Sequence, residues 1–96
     1  MGVIKNSGDI ITTGVVTAKP SKYWGMSLWA SSDDVTAVLN DNPEAASGNV
    51  VDRAQVDFST QPSLHINLSK GIPAPNGIFI TLTGTNPKAN VRFEPL

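Results

Sequence analysis

The residues of this chain that could do chemistry are few. There is one histidine, His65, with serines on either side of it in sequence, and a concentration of carboxylates at Asp33, Asp34, Asp41 and Glu44. A histidine beside a serine hydroxyl is the minimum of a nucleophile and base pair, but the Gly-x-Ser-x-Gly turn that exposes such a serine is missing. The carboxylates could supply oxygen ligands to calcium if their loops converged, yet they lack the spacing of a helix-loop-helix calcium site. Acidic loops otherwise serve solubility, and paired carboxylates for glycoside cleavage would need a cleft that so short a chain has little room for. With no cysteine there is neither a disulfide scaffold nor a thiolate zinc site, and no glycine-rich phosphate loop is present. The residues therefore name no catalytic group, no metal ligand and no cofactor.

Aromatic residues are the other chemical resource. From Tyr23 to Ala30 the chain alternates, with Trp24, Met26, Leu28 and Ala30 on one side and Tyr23, Gly25, Ser27 and Trp29 on the other. The first set is the core candidate. Tyr23 and Trp29 then fall on the opposite face, where aromatic rings mark a protein contact or a platform for a sugar. A central strand buried on both faces would account for the same pattern.

Composition narrows the partners. Seven Lys and Arg against eight Asp and Glu give a net charge of -1, no field for a polyanion or an acidic membrane surface. Neither nucleic acid nor membrane is expected as a partner, and no apolar run approaches a membrane span. The first residues carry no charged-then-apolar leader, so synthesis and retention in a cytoplasm is expected; Asn6 stands where a myristoylation motif following Gly2 needs Ser or Thr. At 96 residues the chain suits one small domain with a modest stability margin, the kind that gains from association. Charged residues are only 16%, so much of the surface must be Ser, Thr, Asn and Gly.

The elements that must position these residues are strands. Residues 10–17 are β-branched almost throughout and read as a strand pair or a strand bent at Gly14. Val35, Ala37 and Leu39 share one side of a strand that the Asn40-Asp41-Asn42-Pro43 run ends. Residues 40–49 form a surface loop with room for a helical turn at Pro43-Glu44-Ala45-Ala46. Ala54, Val56 and Phe58 then alternate with polar residues, and Leu64, Ile66 and Leu68 face inward with His65 and Asn67 outward. Residues 71–77 read as a proline-set connection closing on Asn76-Gly77. Ile78 to Thr83 and Ala89 to Glu94 read as a hairpin across a turn at residues 84–88. Seven or eight short strands with no long helix predict an all-β fold, an antiparallel β-sandwich or small jelly roll. Residues 10–96 make the single domain. Residues 1–9, with Val3 and Ile4, read as an N-terminal arm that frays or pairs with a neighbouring subunit's sheet edge.

Two blocks carry a resemblance. The early one is Trp24-Gly25-Met26-Ser27-Leu28, followed at strand spacing by Val35 to Asp41. The late one is Gly71-Ile72-Pro73, then Asn76-Gly77-Ile78-Phe79-Ile80-Thr81-Leu82-Thr83-Gly84-Thr85-Asn86, closing with Val91-Arg92-Phe93. In these the chain resembles small virion proteins of tailed bacteriophages, from about residue 12 onward. The family pattern has a small residue after the Leu where this chain has Trp29, and its loop at residues 41–49 is longer than usual. The resemblance implies a decoration or cement protein on the capsid surface, a homotrimer whose partner is the major capsid protein, needing no catalysis. Tyr23, Trp29, Ile72, Pro73 and Pro75 are the expected partner contacts. A carbohydrate-binding module, or a tail or neck attachment module of the virion, is the alternative, and a hydrolase built on His65 and the acidic loop ranks below both.

Overall fold

The computed structural model describes residues 3–96. Eight strands run in chain order: β1 Lys5–Asn6, β2 Gly14–Thr17, β3 Ser21–Trp29, β4 Val35–Asn40, β5 Val50–Val56, β6 Ser63–Ala74, β7 Ile78–Thr83 and β8 Lys88–Pro95. No helix occurs among the described residues, so residues 43–46 bend without forming the helical turn. The strands make two four-stranded sheets, ordered β1-β8-β3-β6 and β2-β7-β4-β5, with every pairing antiparallel. First pairs with last, second with seventh, third with sixth and fourth with fifth, and successive pairs alternate between sheets. A long double-stranded ribbon rolled upon itself gives this order, and that is the jelly roll.

Pairing across the roll corrects two local expectations. β7 and β8 are not a hairpin: the segment between them crosses from one sheet to the other. The crossing is tight, and a Cβ on Gly84, whose φ is +115°, would stand 2.3 Å from the Asp34 carbonyl oxygen. From Lys5 onward the N-terminal arm pairs within its own sheet, as its edge strand. Lys5 and Asn6 pair with Phe93 and Arg92, the Ser7 N–H donates to Val91 O at 2.9 Å, and Ile10 bridges Ala89. The first two residues of the expected arm lie outside those described. Beyond Ile10 the chain leaves this sheet and joins the other at Gly14, so residues 10–17 are a crossing and a short strand.

The core lies between the sheets and is built from alternate residues: Met26, Leu28, Val35, Ala37, Leu39, Ile78, Ile80 and Val91 are all fully buried. Each large apolar side chain so placed contributes about 1.5–3 kcal/mol. Phe58 falls outside it, because β5 ends at Val56 and Phe58 projects from the next turn, 46% exposed.

Residues 71–74 are strand rather than connection. β6 runs through Pro73, which pairs with Lys22. A proline is tolerated there because β6 is a sheet edge with no partner on its other side.

Candidate functional site

The inward-outward phase of β3 breaks at Trp24, and this decides which aromatics are available. Gly25 lies opposite Arg92 while Tyr23 lies opposite Phe93, so Trp24 is an extra residue in the β3·β8 ladder. On the other side Leu68 to Gly71 stand against that one residue in the β3·β6 ladder. The bulge needs a glycine: Gly25 has φ +143°, and a Cβ on it would meet the Ile66 carbonyl oxygen at 2.0 Å. Because two consecutive residues oppose one, Tyr23 turns into the core and Trp24 leaves it. Trp24 is half-buried, and its indole N–H donates to Glu94 Oε1 at 3.1 Å.

Tyr23 is therefore no partner contact. It is fully buried, and its hydroxyl donates to Asp52 Oδ2 at 2.8 Å, joining the first sheet to the edge strand of the second. Burial, and then the bond to Asp52, raises its pKa above the ordinary tyrosine value.

Trp29 does reach the surface. Cross-strand register sets Lys88, Trp29 and Ser63 in one row of the outer face, then Asn90, Ser27 and His65, then Arg92, Gly25 and Asn67. The Lys88 ammonium stands 5.5 Å from the Trp29 ring centroid, and the His65 ring meets Trp29 edge-on at 5.6 Å. Beside Trp29, at the end of the sandwich, opens a groove of about 350 Å³ lined by Ile11, Trp29, Ser31, Asn86, Pro87 and Lys88. Ile11 is 65% exposed. The Ser31 hydroxyl holds the groove floor by donating to the Asn86 carbonyl at 3.2 Å.

Ile72, Pro73 and Pro75 lie elsewhere. Ile72 packs against the core, while Pro73 and Pro75 are exposed at the opposite end of the β3·β6 ladder from Trp29. The sequence-derived contacts thus separate into a core residue, a groove residue and a distant edge. Asn86, Lys88, Ser31 and Ile11 were not singled out from sequence. The one available signal was the Asn86-Pro87 turn, which brings β8 under Trp29.

The structure does bring His65 to a serine: Nδ1 lies 2.8 Å from Ser27 Oγ, which also accepts from Arg92 Nη1 at 3.3 Å. Ser27 is only 6% exposed, roofed by these two side chains. Arg92 further donates to the Ile66 carbonyl. The arrangement ties β3, β6 and β8 laterally. The carboxylates do not converge. Asp33 and Asp34 lie between β3 and β4, where Asp34 accepts the Phe58 N–H at 3.0 Å, whereas Asp41 at the other end accepts the Asn76 N–H at 2.8 Å. Among the described residues no three His, Asp or Glu side chains come together as metal ligands.

The outer face of the second sheet is the other surface of note. Its rows are Val15, Phe79, Asn40 and Val50; then Thr81, Val38 and Arg53; then Thr83, Thr36 and Gln55. Arg53 carries the only formal charge in them. Val15 is 49% and Val50 44% exposed. No protein-family model matches the chain, and no characterised protein matches it in sequence.

Proposed function

We propose that this chain is a structural subunit of a tailed-phage virion, a decoration protein that binds the outer capsid surface and stabilises the shell without catalysis. The observation that carries this reading is the outer face of the β2-β7-β4-β5 sheet, rich in Val and Thr and charged only at Arg53 in its paired rows. A face so poor in charge costs little to desolvate, which suits a contact repeated over many copies of the major capsid protein. Buried area at capsomer junctions raises the free energy needed to open them, and trimeric subunits would multiply weak contacts by avidity. The resemblance of Trp24 to Leu28 and of Gly71 to Asn86 to phage virion proteins points the same way.

Cosedimentation of the purified chain with capsids lacking it tests the proposal, together with its mass by light scattering. Saturable binding at a fixed ratio to the major capsid protein, a trimer in solution or on the shell, and loss of binding in Val38→Asp are the expected results. A monomer that ignores capsids at micromolar concentration would overturn it. A carbohydrate-binding or tail or neck attachment module is the second reading, favoured by the Trp29 groove.

A further inference from the structure

We propose that the groove beside Trp29 binds a sugar ring that carries a carboxylate, a uronic acid unit of a polysaccharide. This rests on the second reading of the groove and is independent of which face meets a shell. A volume of about 350 Å³ falls at the small end of ligand sites, enough for a monosaccharide unit. Its apolar walls are the Trp29 indole, Pro87 and Ile11, surfaces that pack on the C–H faces of a pyranose. Its polar groups suit hydroxyls. The Ser31 hydroxyl spends its proton on the Asn86 carbonyl and keeps its lone pairs, and among the described residues the Asn86 amide has no side-chain partner. Asn86, at φ +51° in the left-handed region that asparagine adopts readily in turns, makes the Asn86-Pro87 corner beside Trp29.

The acidic preference comes from Lys88. It is the only charge lining the groove, and its ammonium bonds Asp9 at 3.4 Å through side chains 49% and 59% exposed. Such a pair is worth little in water, so a sugar carboxylate can replace Asp9 while the ring sits on Trp29. A single ammonium matches one carboxylate. A phosphate monoester would favour a guanidinium fork, and among the described residues no arginine lines the groove.

The test is a titration of the full chain with galacturonic acid oligomers and matched neutral galactose oligomers, followed by the indole N–H resonances. Trp24, held by Glu94, is the internal reference. The acidic oligomer should move the Trp29 resonance and bind about fivefold tighter than the neutral one at low salt. Lys88→Met should erase that difference, and Asp9→Asn should tighten acidic binding about twofold. Trp29→Ala should abolish both; should it fail to fold, the two exposed-site variants still decide. Equal affinity for both oligomers would leave a sugar site standing and overturn the acidic preference. No shift at Trp29 with either would overturn the sugar site as well.

Discussion

Tyr23 shows how one side chain can change meaning with its surroundings. In sequence it is an aromatic on the face away from Met26 and Leu28; in the fold it is a buried strut whose hydroxyl reaches Asp52. Below pH 10 the hydroxyl keeps its proton whether the chain is folded or not. Above that the unfolded tyrosine releases its proton while the buried one must hold it, so stability falls as pH rises past 10. Urea unfolding at pH 9 and pH 11 should show this loss, and Tyr23→Phe should reduce it while costing about 1–2 kcal/mol at pH 8. Thr81 offers the opposite case. Its hydroxyl is buried with no hydrogen-bond partner among the described residues. Thr81→Val removes that desolvated group at nearly constant shape and should leave stability unchanged or raised by up to about 1 kcal/mol. A loss of 2 kcal/mol in the same unfolding experiment would mean the hydroxyl is bonded after all.

At the scale of elements, strands and their inward sets were largely legible: Val35, Ala37, Leu39, Ile78 and Ile80 alternate in sequence and are buried in the fold. What alternation could not carry is a change of phase. The bulge at Trp24 depends on a carbonyl from β6, more than forty residues later, approaching Gly25, and no local pattern encodes that contact. The same blindness to distant pairing made β7 and β8 look like a hairpin and Gly71 to Ala74 like a loop. Of the candidate contacts, Trp29 reaches the surface because it lies beyond the bulge, where alternation is unbroken and sets it on the face opposite Met26 and Leu28. Gly25→Ala is the test of the bulge. Its Cβ would strike the Ile66 carbonyl at a backbone angle that L side chains avoid, with an expected loss of about 1–3 kcal/mol in thermal or urea unfolding. A substitution that left stability untouched would show that β3 can re-register.

At the scale of the whole molecule, each end of the roll is tied by its own set of connections. At the end that carries the Trp29 groove, the Ser32 hydroxyl donates to Thr85 O and the Phe58 N–H to Asp34, tying neighbouring connections together. At the other end Asp41 grips Asn76, and the Leu96 N–H donates to Pro20 O. A glycan held at the first end and a shell held by the outer face of the β2-β7-β4-β5 sheet would not compete for the same residues. Capsids coated with the chain should therefore still bind galacturonic acid oligomers, and coating with Lys88→Met should keep the shell contact while losing the acidic preference. Sedimentation of labelled oligomer with coated capsids reads both.

The order in which the strands are made has a consequence for how the chain comes to be folded. β8 is made after the seven other strands, yet it sits between β1 and β3, the first two strands of its sheet in chain order. Until Lys88 to Pro95 leave the ribosome, β1 has no neighbour and β3 lacks one of its two. β3 can pair with β6 before then, but β1 cannot join them until β8 is made. Completing the sheet therefore depends on pairing between strands far apart in sequence, of the slow kind that takes about milliseconds to seconds.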